Sequence, residues 1–436
     1  MTHQRRLKLA TTALALATTL QAQQLTPAET RVSRAVDANN QQALSLLERV
    51  VNINSGTMNV AGVRAVGDIF TNELRSLGFS TRWESEAPLP RAGHLVAEHK
   101  GNGPKLLLIG HLDTVFEPAS PFRKYERFGD SAKGPGIIDM KGGDVIIVFA
   151  LRALKDAGLL DNLNVTVVMT GDEEQPARPL SVARKALKEA AAGASFAIGL
   201  EDGSGIPTEG VISRRSATNW KLTASGKAGH SSQIFRQDIG AGAIYEVARI
   251  LDTFRQRLAS EQYLTFNPGM IVGGSAAPTD STWTSGSAAG KTNVVAQTAT
   301  VSGDIRAVSP EQLARAQAAM REIVAQHLLQ TTATIEFDDG YPPLAPTDAN
   351  RALLARYSQA SQDLGLPAVN PVDPSRAGAA DVAFVAGIVP AIIDGVGLSG
   401  HDDHSEKETA DLRMLPVQTK RLAVLLARLS SGKVVP

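Results

Sequence analysis

The stretch Leu106-Leu107-Leu108-Ile109-Gly110-His111-Leu112-Asp113 joins an apolar run to a polar tail. The run is too short and too continuous for an amphipathic helix, and it fits a strand buried on both faces of a parallel sheet. Similar runs occur at Val165–Met169, Phe196–Leu200 and Val389–Ile393. Helical periodicity lies between them, for example over Asp144–Ala157. This alternation predicts an α/β fold with a mixed, mostly parallel sheet and helices on both faces.

The middle of the chain follows a different pattern. Residues 212–337 predict strands and helices in the order β-α-β-β-α-β, with helices at Ile239–Leu258 and after Ser309 and a strand over Asn293–Asp304. Runs typical of a parallel sheet resume after this segment. We therefore interpret residues 212–337 as an inserted α+β, ferredoxin-like domain, and residues 24–211 with 338–436 as the α/β domain.

Composition limits the partners of the protein. The 436 residues are enough for two globular domains, and a hydrophobic content of 43% is typical of folded proteins. Lys plus Arg and Asp plus Glu are balanced at 44 each, so no net charge attracts nucleic acid or an anionic membrane. We expect small-molecule partners and no nucleic acid.

The first residues are typical of an export signal. A basic start is followed by an apolar run over Leu9–Leu20 and by Ala22, a small residue suited to cleavage. This predicts a signal peptide over residues 1–23, with a buried N-terminal helix as the alternative. We expect a periplasmic or secreted protein that does not stay on the membrane after cleavage.

Polar residues follow each of the four predicted strands. They are His111 and Asp113, Glu173 and Glu174, Glu201 and Asp202, and His401 to His404. In open α/β sheets, ligands bind at the carboxyl ends of the strands, so these clusters should meet in one place. The Gly-rich run from Gly134 to Gly143 adds Asp139 on a tight turn before a helix. Two imidazoles and several carboxylates suit zinc and can share two ions.

These motifs stand in a fixed order along nearly all of the mature chain, from His111-x-Asp113 through Asp139 and Glu173-Glu174 to Glu201 and His404. The order resembles that of the M20 metallopeptidases, and most of all their glutamate carboxypeptidase branch. The resemblance implies a zinc-exopeptidase-like catalytic domain with an inserted lid and dimerisation domain. It also implies two Zn²⁺ per chain, with Co²⁺ or Mn²⁺ as alternative metals, and a homodimer.

The resemblance also implies five metal ligands. These are His111 and Glu201 for one zinc, Glu174 and His404 for the other, and Asp139 as the bridge between them. Asp202 could replace Glu201 in this role, and His401 could replace His404. We prefer His404 because Ser405–Glu408 follows it as in the family.

Two further acids have implied roles beside the metals. Asp113 would orient His111, and Glu173 would act as the general base that serves the attacking water and the leaving amine. Which of Glu173 and Glu174 is the base comes from the family alone. A hydrogen-bonded core pair is the alternative for His111 with Asp113.

The inserted domain carries the implied substrate contacts. His230 resembles the family histidine that reaches the active site of the partner subunit and polarises the scissile carbonyl. Asn293 and Arg306 resemble positions that hold the substrate carboxylate, Arg306 by a forked ion pair. A surface His and an ordinary strand Arg are the alternatives. Gly378–Asp381 resembles a substrate loop, although the family often has Gly-Gly-Thr-Asp there.

The predicted activity is zinc-dependent cleavage of the amide bond before a C-terminal residue, with a peptide or an N-acyl amino acid as substrate. An N-acyl amino acid deacylase or a dipeptidase with the same site is the close alternative. A non-catalytic binding protein of the same fold is disfavoured because every metal and base position is filled. A structural zinc protein is disfavoured because the chain has no Cys.

Overall fold

A computed structural model describes residues 25–431 of the chain. The predicted signal peptide over residues 1–23 lies outside the described residues and stays a prediction. Within residues 25–431, none of the helices has both the length and the apolar character that a membrane span requires.

The described residues form nine α-helices and sixteen strands. The helices are α1 (Pro27–Val51), α2 (Val60–Ser76), α3 (Gly142–Asp156), α4 (Leu180–Ala183), α5 (Lys185–Ala191), α6 (Ala243–Leu258), α7 (Pro310–Val324), α8 (Asp348–Asp363) and α9 (Met414–Ser430). The strands are β1 (Ser80–Glu84), β2 (His94–His99), β3 (Lys105–His111), β4 (Glu126–Phe128), β5 (Ser131–Lys133), β6 (Asn164–Thr170), β7 (Ala194–Gly199), β8 (Glu209–Gly210), β9 (Thr218–Gly226), β10 (Thr265–Gly274), β11 (Thr298–Arg306), β12 (Thr331–Phe337), β13 (Asn370–Pro371), β14 (Ala391–Ile393), β15 (Gly400–His401) and β16 (Thr409–Asp411).

The largest sheet has six strands in the order β1-β2-β6-β3-β7-β14. Strands β6, β3, β7 and β14 run parallel, whereas β1 and β2 pair antiparallel at one edge. Alternation along β3 sends Leu106 and Leu108 into one core and Leu107 and Ile109 into another. Helices α1, α3 and α9 pack together on the first face, and α5 contacts the strands from the second. This mixed, mostly parallel sheet with helices on both faces confirms the predicted fold class.

The inserted segment forms a second sheet with its own core. Its elements follow the predicted order, β9-α6-β10-β11-α7-β12, and its four strands pair antiparallel as β10-β11-β9-β12. Helices α6 and α7 cover this sheet around the fully buried Trp220. Helix α7 starts where the sequence predicts, since the Ser309 side chain accepts the N–H of Gln312. The α+β, ferredoxin-like character of the insertion is confirmed; the exact domain boundaries stay predictions.

Several predicted elements have different bounds in the structure, among them α6, β11 and β14. Helix α6 begins at Ala243 and not at Ile239, because Gly240 and Gly242 adopt left-handed φ angles of 79° and 78° that end the loop before it. Strand β11 begins at Thr298 and not at Asn293. Strand β14 begins at Ala391, after Pro390, which has no N–H to donate to a neighbouring strand.

Asp139 lies in a turn directly before a helix, as the sequence predicts. The turn, Ile137–Lys141, continues into α3, and Asp139 and Met140 have non-helical backbone angles within it. Gly136, before this turn, has a φ of 71°, and a Cβ there would clash with the Thr114 side chain. Glycine at 136 therefore allows the turn to pack closely against the strand-end loops.

Candidate metal centre

The polar clusters meet at one edge of the large sheet. Strand β3 ends at His111, and its parallel neighbours β6 and β7 end beside it. Glu173 and Glu174 follow β6, and Glu201 follows β7. Because parallel strands place their carboxyl ends on the same side, the three loops face a common space.

The first group of candidate metal ligands contains His111, Asp139 and Glu201. The Nε2 atom of His111 lies 2.9 Å from Asp139 Oδ1 and 3.4 Å from Glu201 Oε1. One ligand atom from each of these residues lies within 4.8 Å of the other two. An imidazole and two carboxylates at this spacing match the mixed N/O ligation of zinc.

The second group lies on the other side of Asp139. The Nε2 atom of His404 is 2.8 Å from Asp139 Oδ2 and 3.2 Å from Glu174 Oε2. Asp139 therefore turns one carboxylate oxygen towards each histidine. Asp403, which the sequence did not single out, also places a carboxylate oxygen within 4.8 Å of Asp139 and His404.

The orientation of His111 suits a metal ligand. Its Nδ1 lies 3.1 Å from the backbone oxygen of Asp113 and 3.5 Å from its carboxylate Oδ1. A proton on Nδ1 leaves Nε2 with a free lone pair that faces Asp139 and Glu201. The neighbouring Asp113 thus has the position that the sequence assigned to it.

Asp113 does more than orient the imidazole. Its carboxylate is 0% exposed. It accepts the backbone N–H of Glu173 at 3.0 Å and that of Glu174 at 3.1 Å. It also accepts the hydroxyl of Thr57 at 2.6 Å. One buried carboxylate therefore fixes both His111 and the loop that carries the predicted base.

Charge in the pocket favours bound cations. Hydrogen bonds to Asp139 and then to Glu174 raise the pKa of His404 to about 11. Burial would raise the pKa of Asp139, but the two histidines outweigh it and hold that pKa below its ordinary value. The second carboxylate oxygen of Glu174, Oε1, is buried without a hydrogen-bond partner. This donor set fits two divalent ions that share Asp139.

Glu173 is in a different situation from Glu174. Among the described residues, no hydrogen bond or ion pair engages its carboxylate, and only its backbone groups are held. Burial, with the Asp381 charge next in size, raises the pKa of Glu173 well above its ordinary range. A carboxylate near the ligands, but not bound among them, suits a general base.

The geometry favours Glu201 over Asp202 and His404 over His401. Glu201 contacts His111, whereas Asp202 is absent from each ligand group found in the described chain. The His401 side chain is 68% exposed, and its Nδ1 pairs with Asp402 at 2.8 Å.

Glu408 is a site residue that the sequence did not assign. Its Oε2 accepts the N–H of Gly136 at 2.9 Å, and its Oε1 accepts those of Ile138 at 2.9 Å and Asp139 at 3.2 Å. Burial raises the pKa of Glu408 to about 8. This carboxyl group fixes the turn that presents Asp139. The only sequence signal was its place in the Ser405–Glu408 segment.

Arg184 is a second residue that sequence reasoning missed. Its buried guanidinium donates to Asp172 Oδ1 and Asp381 Oδ1, each at 2.6 Å. Thr170 donates to the other oxygen of Asp381 at 2.7 Å. Asp381 therefore anchors the Gly378–Asp381 segment inside the protein through both of its carboxylate oxygens.

A third group of buried donors contains Glu86, His94 and Asp172. The Nε2 atom of His94 lies 2.8 Å from the backbone oxygen of Ala183, and its Nδ1 accepts the N–H of Gly171 at 3.2 Å. Burial lowers the pKa of His94 to about 4, so the ring is neutral. Both ring nitrogens are engaged by backbone groups, so His94 is not a candidate metal ligand.

The predicted substrate residues lie on the inserted domain. His230 and Asn293 are both exposed and lie on paired segments, since Ser231 N–H donates to the Asn293 oxygen at 2.9 Å. This pairing explains why Asn293 is outside β11. Arg306 ends β11 and pairs with Asp304 at 2.8 Å. Within residues 25–431, no hydrogen bond or ion pair joins any of the three to the metal ligands.

Similarity to known proteins extends over most of the chain. The family model described as Peptidase family M20/M25/M40 matches residues 107–428. Carboxypeptidase G2 of Pseudomonas sp. (strain RS-16) is 28% identical over 401 residues, which cover 89% of this chain and 90% of that protein. A probable succinyl-diaminopimelate desuccinylase of Staphylococcus aureus (strain MRSA252) is 31% identical over 173 residues, 38% of this chain and 40% of that protein.

Solved structures share the fold at low sequence identity. Aminopeptidase PepT from Bacillus cereus ATCC 10987 superposes with a TM-score of 0.72 at 17% identity, covering 90% of this chain and 99% of that one. The YXEP protein of Bacillus subtilis, described as a dinuclear metal-binding peptidase of the M20 family, has a TM-score of 0.62 at 15% identity, covering 91% and 99%.

We predict that Glu408→Gln weakens metal binding by roughly 10- to 100-fold, because an amide has one accepting oxygen where the carboxylate has two, so its NH₂ faces at least one backbone N–H of the turn that carries Asp139. Metal retained after dialysis against graded chelator measures the effect. Glu406→Gln is the matched control, since Glu406 is exposed in the same segment and should behave as wild type. Equal metal retention by Glu408→Gln and wild type would contradict the role of Glu408.

Proposed function

Because the chain belongs to peptidase family M20/M25/M40, we propose that it is a two-zinc metallocarboxypeptidase that releases a C-terminal residue from a peptide or an N-acyl amino acid. Membership makes the protein a metallohydrolase. The proposal of a two-zinc site rests on one observation. Asp139 lies between His111 and His404, and each histidine lies beside one further carboxylate.

The proposed ligands divide into two sets. His111 and Glu201 would hold one zinc ion, and Glu174 and His404 would hold the other. Asp139 would be a ligand of both ions. When bound, the two ions supply Lewis acidity to an amide carbonyl and make water easier to deprotonate. Zinc fits the imidazole and carboxylate donors, and Co²⁺ or Mn²⁺ remain alternative metals.

Glu173 would move the proton. Its carboxylate is free among the described residues while its backbone is held, so it could take a proton from the attacking water and deliver it to the departing amine. Its partly desolvated setting raises its proton affinity, which favours that transfer. Asp113 keeps the loop of Glu173 in register with His111.

The inserted domain would supply recognition. Arg306 offers a guanidinium for the free carboxylate of the substrate, with Asn293 as a second donor. In the free protein Arg306 pairs with Asp304. A substrate carboxylate would share or replace that contact. We expect the domain to close as a lid about hinges near Ile212 and Phe337.

A homodimer would complete the site. Strand β10 is at the edge of its sheet, and four apolar side chains of the inserted domain are 49–63% exposed. These are Phe235, Ile244, Tyr245 and Ile271. An open strand edge with apolar neighbours suits pairing with a second copy. His230 of the partner subunit would then stabilise the negative charge on the scissile carbonyl.

The close alternative is an N-acyl amino acid deacylase or a dipeptidase with the same metal ligands. One partial relative is described as a probable desuccinylase. All these activities act on substrates with a free carboxylate on the leaving side, so assays with substrates that differ in the acyl group distinguish between them.

We propose a periplasmic or secreted location, for which a mature N terminus near Gln24 is the test.

We predict that Glu173→Gln lowers kcat by ~10²- to 10⁴-fold while the protein keeps about two zinc ions, because the change removes a base and not a ligand. Zinc per chain and turnover of N-blocked dipeptides are the measurements. Glu174→Gln is the contrasting variant and should lose metal. Loss of half the zinc from Glu173→Gln would show that the roles of these neighbours are exchanged.

If Arg306 and Asn293 bind the substrate carboxylate, the enzyme should prefer substrates with a free C terminus. N-blocked dipeptides should have a higher kcat/KM than their C-terminal amides. The ratio should correspond to on the order of 2–4 kcal/mol of transition-state binding. Arg306→Ala should remove most of that preference. Arg255→Ala, which removes a similar arginine paired with Asp252, should keep it. Equal kcat/KM for acids and amides in the wild type would rule out the carboxypeptidase assignment.

If the two subunits share an active site, mixing two inactive variants should restore activity. Glu173→Gln and His230→Ala chains should each be inactive alone, and exchanged heterodimers should regain part of the wild-type rate, because one of their two sites holds both intact residues. Subunit exchange is confirmed by mass-tagged chains before the assay. Absence of recovery in confirmed heterodimers would remove the proposal that His230 serves its partner.

A further inference from the structure

The two linkers to the inserted domain pair with each other beside the catalytic loop. We define the lid linkers as residues 212–217 and 338–344. Arg214 and Leu344 exchange backbone hydrogen bonds of 3.0 and 2.9 Å, and Ala217 and Tyr341 exchange bonds of 3.1 and 2.9 Å. The linkers thus form a short antiparallel ribbon that fixes the backbone of Tyr341.

The hydroxyl of Tyr341 reaches from this ribbon to the predicted base. It donates to the backbone oxygen of Glu173 at 2.9 Å and accepts from Arg184 Nη2 at 2.8 Å. Asp381 Oδ1 is farther away, at 3.3 Å, and already accepts from Arg184. The phenol has one proton, and the shorter contact assigns it to the Glu173 oxygen.

The ring of Tyr341 is held independently of its hydroxyl. It packs edge-on against Phe384 with ring centroids 4.8 Å apart, and the residue is only 8% exposed. Removing the hydroxyl alone would therefore leave the ring in place and take away its hydrogen bonds to Glu173 and Arg184, while the same Arg184 nitrogen still donates to the backbone oxygen of Asp172.

Glu173 is consequently held on both sides of its Cα. Asp113 accepts its N–H at 3.0 Å, and Tyr341 donates to its C=O at 2.9 Å. These two bonds restrict the backbone dihedral angles that aim the Glu173 side chain. Its carboxylate has no such restraint of its own among the residues described.

We propose that Tyr341 is a positioning residue that fixes the backbone of Glu173 from the lid linker, so that the direction of the base depends on the linker ribbon. The proposal rests on the proposed role of Glu173 as general base. Within residues 25–431, no hydrogen bond joins the Tyr341 hydroxyl to a proposed metal ligand. Its hydroxyl acts through the Glu173 peptide, and Arg184 orients that hydroxyl.

Tyr341→Phe tests this role with two readouts. Backbone hydrogen exchange in the segment 171–177 should speed up roughly 5- to 10-fold, because a buried hydrogen bond that closes the loop is lost. On N-blocked dipeptides, kcat should fall about 10-fold or more while KM changes less than about twofold, since a misdirected base affects the chemical step and not binding. Zinc content should match that of the wild type.

Tyr357→Phe is the matched control. Tyr357 is also buried, and its hydroxyl donates to Gln418 at 3.0 Å in a network formed by α8 and α9. This variant should show wild-type kcat and wild-type exchange in 171–177. A similar fall in kcat for both variants would indicate general loosening and overturn the proposal.

Other outcomes are equally decisive. Unchanged exchange in Tyr341→Phe, or faster exchange with unchanged kcat, would overturn the positioning role. A fall in kcat together with lost zinc would also overturn it, because the defect would lie in the metal site. If the wild type hydrolyses none of the dipeptides, the proposed function fails, and the exchange readout alone then decides whether Tyr341 fixes the Glu173 loop.

Discussion

The contact of one carboxylate with two imidazoles is the constraint on which the rest of this structure depends. Asp139 turns one oxygen to His111 and the other to His404, residues that lie far apart in the sequence. Keeping that geometry requires a strand end, a turn and a loop to meet within a few ångströms. The parallel strands β3, β6 and β7 bring His111, Glu174 and Glu201 together, and Glu408 fixes the turn that presents Asp139.

Burying so many charged groups would be unfavourable without partners. The charged groups of the site find their partners in two ways. Beneath the metal ligands, Asp113 and Asp381 are satisfied by hydrogen bonds from backbone and side chains. At the surface of the pocket, the carboxylates of Asp139, Glu174 and Glu201 pair only with histidines within residues 25–431, and the raised pKa of His404 reflects this excess of negative charge. With no cysteine in the chain, metal binding would add to the stability that the apolar cores supply.

The sequence was sufficient for the architecture and for the convergence of the ligands. Apolar runs followed at once by acids or histidines indicate strand ends, and strand ends share an edge of the sheet. The roles of Glu408, Arg184 and Tyr341 could not be read in this way. Glu408 acts on a turn 269 residues away from it, and Tyr341 on a peptide 168 residues away. Contacts of that kind depend on tertiary packing and leave no local pattern. Asn293 was placed in a strand because local propensity does not reveal which segment a residue will pair with.

The paired linkers also bear on how such a protein can change. Because Arg214 and Leu344 are hydrogen-bonded neighbours, the chain leaves the α/β domain and returns to it at almost the same point. An insertion with adjacent ends leaves the order of the host strands undisturbed. The metal-binding host and its inserted module can therefore vary in size and surface separately, as long as the short ribbon between them is kept.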